Sequence, residues 1–146
     1  MTRTQKLQPV VKHVDSKQQL ALQAVAFSRQ QLEQQQARLE QLIVYKDEYA
    51  NQPLNPQAAS YSAVQFQEFN RFLTQLDDTI KRQQQVVALA QRELEIKRQK
   101  WQLSRSRSDA MHKVVDRIQV NELKQAEKVE QKVMDEVALR SFLKNN

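Results

Sequence analysis

The sequence has no cysteine and no glycine, and it has only three prolines. The absence of cysteine excludes disulfides, thiol catalysis and cysteine-based metal sites. The absence of glycine excludes glycine-rich phosphate-binding loops and nucleophile elbows. Two of the prolines, Pro53 and Pro56, lie close together, and no proline follows them. The residues after Pro56 can therefore form one uninterrupted helix.

Long apolar runs and aromatic residues are also scarce. No run approaches the ~18 apolar residues of a membrane-spanning helix, and the N-terminus lacks the apolar core of a signal peptide. We therefore expect a cytosolic protein that reaches a membrane only through a partner, with no direct membrane insertion. The net charge is +6, which permits acidic partners, and the positive charge is concentrated between Lys81 and Arg107.

The second half of the sequence contains a seven-residue apolar repeat. Its members are Phe66, Leu73, Ile80, Val87, Leu94, Trp101, Val115 and Val129, with polar residues at 108 and 122. A weaker companion series lies three residues further on: Phe69, Leu76, Gln83, Ala90, Lys97, Ser104, Met111 and Ile118. Such a repeat keeps one stripe facing a partner helix, so it predicts a coiled-coil helix over about 61–143.

An earlier apolar stripe predicts a first helix over about 8–50, with Pro9 in its first turn. Its members are Leu7, Val11, Val14, Ala21, Val25, Leu32, Leu39, Leu42 and Tyr49, with polar residues at 18, 28 and 35. Residues 51–60 contain the two prolines and form the predicted loop, and Ser60 or Ser62 is a candidate cap for the second helix. A short loop between two amphipathic helices favours an antiparallel hairpin.

The predicted fold is all-α, a single coiled-coil domain over 1–146 in which two antiparallel helices form a hairpin and the second overhangs at its C-terminal end. Folding about residue 56 pairs residues whose numbers add to about 112, such as Leu39 with Leu73. The start of helix 1 then lies opposite about Ser104. This leaves about 109–143 of helix 2 without a partner in the chain. An isolated amphipathic helix is marginal in water, so this overhang is expected to bind a second copy or another protein.

Residues that support catalysis or metal binding are few. The two histidines, His13 and His112, are isolated on the predicted helices and are interpreted as solvent-exposed side chains. The paired acids at 47–48 and 77–78 lie on narrow helices, where no cleft can shift their pKa values. We therefore predict no enzyme activity, no cofactor, no metal and no small-molecule substrate.

The basic stretch raises nucleic acid as an alternative partner, because basic helices can follow phosphate groups. Its basic residues are Lys81, Arg82, Arg92, Lys97, Arg98, Lys100, Arg105 and Arg107. They are spread around the helix, and no set of aromatic residues is available to stack on bases. A solvated face, or docking to an acidic protein surface, is the favoured interpretation.

Apolar and aromatic residues crowd on both sides of the predicted loop. They are Leu39, Leu42, Ile43, Tyr45 and Tyr49 on helix 1, and Phe66, Phe69, Phe72, Leu73 and Leu76 on helix 2. A two-helix seam uses only two apolar positions per heptad. The surplus indicates either a locally thicker core or a partner-binding patch of aromatic anchors.

These residues resemble the flagellar type III export protein family FliJ. Residues 39–49 fit that family's pattern L-x-x-L-I-x-Y-x-x-E-Y, and residues 69–76 fit its second segment, an aromatic residue followed after two residues by F-[IL]-x-x-L. The chain length, the loop position, Trp101, the basic middle and the segment from Met134 to Glu136 also agree. The likeness covers nearly the whole chain.

The resemblance implies an antiparallel coiled coil similar to the gamma-subunit stalk of rotary ATPases. Members of the family bind the hexameric export ATPase and promote its ring assembly, and they contact the export-gate membrane protein. Some are described as escorts for export chaperones. On this basis the chain is expected to be cytoplasmic and peripheral at the inner membrane through its partners.

The resemblance also implies two binding surfaces. The gate-binding surface carries over onto Leu42, Tyr45, Tyr49, Phe72, Leu76, Thr79 and Gln83. Relatives often have alanine and histidine at the last two of these positions, and position 38 is arginine rather than glutamine. By analogy with the stalk, the ATPase ring would bind the start of helix 1 and the overhang, at Val11, Val14, Val115, Ile118, Leu123, Val129 and Val133.

Three alternatives remain open at the level of sequence. One is the corresponding protein of a virulence type III secretion system, against which the tip motif argues. Another is a homodimeric scaffold, in which two overhangs pair with each other, or an export-chaperone escort. The third is a basic nucleic-acid-binding rod.

Overall fold

The computed structural model describes residues 1–52 and 63–145, and this part of the chain forms two helices. Helix α1 spans Arg3–Ala50 and helix α2 spans Ala63–Lys144. They pack against each other, which confirms the predicted all-α helical hairpin. Most of the predicted loop, with the candidate caps Ser60 and Ser62, lies outside the described residues.

Packing divides the chain into two units, each built from one segment of each helix. Unit 1 comprises Met1–Leu20 and Gln102–Asn146, and unit 2 comprises Ala21–Trp101. Within each unit the two segments run antiparallel, as the contacts below show. The description of residues 1–146 as a single domain stays a prediction.

The heptad repeat forms the seam between the helix segments. The buried apolar residues are Val25, Leu76, Ile80, Val87 and Leu94 in unit 2, and Val11 and Val115 in unit 1. Every position of the two α2 series from Phe69 to Glu122 is buried or half-buried. Fully burying one such side chain contributes roughly 1.5–3 kcal/mol relative to exposing it. The seam is therefore the main source of stability in both units.

The two outermost members of the predicted repeat do not belong to the seam. Phe66 and Val129 are both exposed. Helix α1 ends at Ala50 and begins at Arg3, so neither residue has a turn of α1 to pack against. The seam therefore begins at Phe69 and ends at Glu122.

Within unit 2 the predicted alignment of the two helix segments is wrong by about six residues. In unit 2 the amide of Gln83 donates to the backbone carbonyl of Gln35 at 3.0 Å and to its side-chain oxygen at 2.8 Å. The predicted sum of 112 would instead place Gln35 opposite residue 77. Tyr49 stacks on Phe69, which gives the same offset. The first turn of α2 extends past the end of α1, so the hairpin does not fold symmetrically about residue 56.

Helix α1 begins at Arg3, about five residues earlier than predicted, and Pro9 lies inside it. Thr2 and Gln5 form a reciprocal cap: the Gln5 N–H donates to the Thr2 hydroxyl, and the Thr2 N–H donates to the Gln5 side-chain oxygen, both at 3.2 Å. This is a capping box, which satisfies donors at the helix start that have no partner within the helix. Thr2 and Gln5 carry the sequence signature of this motif, which marks the earlier start of the helix.

The carboxylate of Glu122 holds the start of α1 in unit 1. It accepts from the Thr4 N–H at 3.2 Å and from the Thr4 hydroxyl at 2.9 Å. The predicted partnerless segment 109–143 is therefore too long, because α2 remains paired as far as Glu122. Residues 123–145 are all exposed, and we call them the lone segment.

Candidate functional site

Two surfaces carry the residues that the sequence predicts to bind partners. The tip surface consists of Leu42, Tyr45, Tyr49, Phe72, Leu76, Thr79 and Gln83, all in unit 2. The second set lies in unit 1 and consists of Val11, Val14, Val115, Ile118, Leu123, Val129 and Val133. Both sets are candidate protein-binding surfaces, because their members are mainly apolar.

Four aromatic rings meet across the two helices at the tip surface. The ring of Tyr49 stacks on Phe69 with centroids 5.1 Å apart, and it lies 4.5 Å from Phe72. Phe72 also meets Tyr45 edge to face at 6.3 Å. Aromatic pairs in these geometries contribute ≈ 0.5–1.5 kcal/mol beyond their buried area. The rings therefore hold each other in fixed orientations before any partner arrives.

The seven tip residues divide into core and surface. Leu76 is 7% exposed and Gln83 is 9% exposed, so these two belong to the core of unit 2. Leu42, Tyr49 and Phe72 are half-buried. Tyr45 is 49% exposed, and Thr79 is exposed with its hydroxyl donating to the Gln75 carbonyl at 2.9 Å. A partner can reach Tyr45 and Thr79 directly, together with the outer parts of the half-buried side chains.

The tip surface extends onto α1 beyond the predicted residues. Val44 and Ile43 are exposed beside Tyr45. A groove of about 520 Å³ lies along this face of α1, lined by Ala37, Glu40, Gln41, Val44, Tyr45 and Glu48. Sequence reasoning placed Ile43 in the crowded region but did not assign Val44. The signal available in the sequence was that Val44 belongs to the apolar run 42–45 but lies outside the seam positions of helix 1.

An ion pair also crosses between the helices near the tip surface. Lys46 pairs with Asp77, and both side chains are partly exposed. Exposed ion pairs typically contribute ~0–1 kcal/mol. This ion pair therefore contributes little to stability. Its main effect is to favour the same alignment of the helices that the Gln35–Gln83 hydrogen bonds favour.

The predicted ring-binding residues fall into two groups. Val11 and Val115 are buried, and Val14 and Ile118 are half-buried, so these four pack α1 against α2 in unit 1. Leu123, Val129 and Val133 are exposed on the lone segment. Ala126, Val137 and these three residues share one stripe at helical spacing. Only this second group is available to a partner without opening the hairpin.

A polar cluster interrupts the seam in unit 1. The Ser108 hydroxyl, which is 2% exposed, donates to an Asp15 carboxylate oxygen at 2.6 Å. The Nε2 atom of His112 lies 2.9 Å and 3.1 Å from the two oxygens of the same carboxylate. The Ser108 hydrogen bond, then the His112 hydrogen bond and charge, lower the pKa of Asp15 below its ordinary value of 3.8, while burial opposes them.

Sequence spacing gave no sign of this cluster, because Asp15 is on α1 and its partners are on α2. Position 108 was a polar interruption of the heptad, and it now has a cross-helix partner. His112 is exposed, as predicted, but it is not merely solvated.

The described residues contain no cluster of metal ligands and no membrane-spanning stretch. No group of three or more candidate metal-ligating side chains occurs in residues 1–52 and 63–145. Neither described helix contains a stretch apolar and long enough to cross a bilayer.

A two-helix antiparallel coiled coil, with an aromatic surface in one unit and an exposed amphipathic helix in the other, is a coiled-coil protein with two candidate protein-binding surfaces. Comparison with known families is more specific: the family model described as Flagellar FliJ protein matches residues 3–146. The chain belongs to this family and is a flagellar, export-related coiled-coil protein. No curated protein and no solved structure matches it.

Proposed function

We propose that this chain is the stalk and activator of the flagellar export ATPase ring, and that it links the ring to the membrane export gate. The observation that carries the proposal is the lone segment, which presents an apolar stripe along a helix on which no other described residue packs. Isolated helices gain most of their stability from packing such a stripe, so a partner that covers it is expected. The FliJ resemblance favours the interior of the ATPase ring as that partner.

The gate contact belongs to the tip surface in this proposal. Its accessible side chains are Tyr45, Thr79 and the outer parts of Tyr49 and Phe72. Aromatic side chains held rigidly by their neighbours lose little conformational freedom on binding, which favours their use as anchors. The chain acts through binding, and it contributes no group to ATP hydrolysis.

The test of the stalk is ATP hydrolysis by the cognate export ATPase at substoichiometric amounts of this protein. A chain ending after Glu122 keeps every seam contact and removes only the exposed segment. We expect stimulation by the full chain and none by the shortened one. Full stimulation by the shortened chain would remove the lone segment from the mechanism.

A point variant separates the apolar stripe from the length of the segment. Val129→Glu places a charge within the stripe, and Lys128→Gln makes the same change in net charge on the opposite face. Val129→Glu should abolish stimulation and Lys128→Gln should leave it nearly unchanged. Equal loss in both variants would indicate a charge effect rather than burial of the stripe.

Gate binding is tested at residues that do not support the core. Tyr45→Ala should weaken binding to the cytoplasmic domain of the export gate by about tenfold or more, as expected for an aromatic anchor. Leu22→Ala, on the same helix and also exposed but outside the tip surface, is the matched control. Circular dichroism should show the same helix content in both. Loss of helix in Tyr45→Ala would assign the side chain to the core instead.

Sedimentation of the isolated chain addresses the scaffold alternative. A stalk should be monomeric at micromolar concentration, whereas a scaffold should dimerise. Dimers that disappear in the chain ending after Glu122 would show that two lone segments cover each other.

A further inference from the structure

Unit 2 contains a groove between the helices that the proposed function does not use. It has a volume of about 320 Å³ and is lined by Ala24, Phe27, Ser28, Gln31, Ala90, Glu93 and Lys97. We call it the Phe27 groove. It shares no residue with the tip surface or with the unit 1 set.

The groove exists because two small residues occupy the seam at this level. Ser28 and Ala90 lie at seam positions, and the larger residues Val25, Val87 and Leu94 are buried next to them. The ring of Phe27 does not fill the space, since it is 62% exposed at the edge of the groove. An unfilled hollow beside an exposed aromatic ring can accept an apolar side chain from a partner.

Exposed apolar residues continue from the groove along α2. Within the stretch between Ile80 and Trp101, the exposed large apolar residues are Val86, Leu89 and Ile96. Residues three or four apart are neighbours on a helix surface, so these three and Glu93 form one strip beside Ala90. This apolar strip lies on one side of α2. Neither solubility nor the packing of the seam requires it. From Val86 to Ile96 the strip covers ten helical steps, which correspond to about 15 Å, or nearly three helical turns.

The charge around the groove is positive. Helical spacing puts Arg82, Arg92 and Lys100 beside the strip on α2, and Arg38 one heptad from Gln31 on α1. Glu93 is the only acid among the described residues that line the groove, and it forms an ion pair with Lys97 at 3.4 Å. A second copy of this chain would bring the same positive charge to the contact and would be repelled.

We propose that the Phe27 groove and the strip beside it bind an acidic amphipathic helix from a partner protein. A third helix laid against two antiparallel helices inserts apolar side chains at positions i, i+3, i+4 and i+7 into such a groove. Acidic residues on its flanks then face the arginine and lysine side chains of the rim. The inference does not depend on the proposed function, because it uses different residues and a different partner chemistry.

Three synthetic peptides of about 18 residues test the chemistry of the occupant. Two share the same leucine stripe at helical spacing, with glutamate at the flanking positions of one and lysine in the other. The third keeps the glutamates but scrambles the stripe. Fluorescence anisotropy with the full chain should show the glutamate peptide binding at least about tenfold more tightly than either of the others.

Matched variants test the location. Phe27→Glu places a negative charge in the groove and should lower affinity for the glutamate peptide by at least about tenfold. Leu22→Glu makes the same charge change on the same helix, at an exposed residue that does not line the groove, and should alter affinity by less than about twofold. Both positions are exposed, so helix content should be unchanged in circular dichroism.

Several results would overturn the proposal. Equal binding of the glutamate and lysine peptides would refute the charge argument, and equal loss in both variants would move the contact away from the groove. Self-association of the chain alone that Phe27→Glu abolishes would assign the groove to a second copy. These readouts involve neither the ATPase nor the gate, so their failure is distinguishable from failure of the proposed function.

Discussion

Replacing Glu122 with alanine is expected to release the first turns of α1 while leaving the rest of the chain folded. In unit 1 this carboxylate accepts two hydrogen bonds from Thr4, one from the backbone and one from the hydroxyl. The backbone N–H belongs to the first turn of α1, where such groups lack partners within the helix. Removing the carboxylate therefore leaves a buried residue, Thr4, with unsatisfied donors.

The size of the effect follows from these contacts. Loss of a side-chain cap costs about 1 kcal/mol, and loss of a negative charge at a helix N-terminus costs a further ~0.3–1 kcal/mol. The capping box between Thr2 and Gln5 remains, so the total should be about 1–2 kcal/mol. That corresponds to roughly a 5–30-fold rise in the local opening of the helix start.

Amide hydrogen exchange measures this opening residue by residue. The N–H groups of Leu7, Gln8 and Val10 should exchange faster by that factor in Glu122→Ala, and Pro9 has no N–H to observe. Amides in unit 2 should be unaffected, since opening is local. Glu122→Gln keeps an acceptor oxygen but has no charge. Its exchange rates should lie between those of the unchanged chain and those of Glu122→Ala.

The control is Glu127→Ala, which removes an exposed acid from the lone segment of the same helix. It should leave the exchange of α1 unchanged. Unchanged rates in Glu122→Ala, or the same acceleration in Glu127→Ala, would refute the assignment of Glu122 as the anchor of α1.

Three further outcomes are expected in urea unfolding. The hydrogen bonds that lower the pKa of Asp15 stabilise the fold above pH ~4, and this stabilisation is lost as the pH falls through the lowered pKa. Asp15→Asn should therefore lose less stability than the unchanged chain on acidification to about pH 3; an equal loss in the two proteins would contradict this. Leu94→Ala should lower the free energy of unfolding by ~2–5 kcal/mol, whereas Leu89→Ala, 63% exposed, should lower it by under about 0.5 kcal/mol; similar losses in the two variants would contradict the assignment of Leu94 to the core and Leu89 to the surface. Gln83→Ala should cost about 1 kcal/mol, and leucine at both 35 and 83 should recover it; no recovery would mean that the amide pair is not the cause.

The sequence was sufficient to predict the helices and their seam, because both depend on local periodicity. Absence of glycine, two close prolines and a seven-residue repeat predicted two helices whose observed C-terminal bounds differ by at most one residue from the prediction. The seam positions between Phe69 and Ile118 also follow from the repeat alone.

The alignment of the helices could not be predicted in the same way. A heptad pattern is unchanged when one helix slides by seven residues, and the turn geometry that fixes the offset is not visible in composition. In the sequence pattern Gln83 is a weak member of the companion series, and the polar residues at 108 and 122 interrupt the repeat. Each has a cross-helix hydrogen bond in the structure, to Gln35, Asp15 and Thr4 respectively.

At the tip surface the sequence predicted which residues gather but not which are accessible. Leu76 and Tyr45 look equivalent in a motif, yet one is buried and the other half exposed. The difference arises from the alignment, which decides what lies opposite each side chain. The same limit applies to Phe27, whose exposure depends on Ser28 and Ala90 meeting at one level of the seam.

The polar pairs of the seam have a consequence for partner choice between helices. If one helix slid by a heptad, Gln83 would face Leu42 or Ser28, and Thr4 would face Val115 or Val129. Each buried polar group left without its partner costs roughly 1–3 kcal/mol, so a misaligned pairing would be less populated by a factor of a hundred or more. An unrelated heptad helix could bury the same apolar residues but would leave these polar groups unsatisfied. The chain therefore discriminates its own first helix from the many other amphipathic helices that a cell contains.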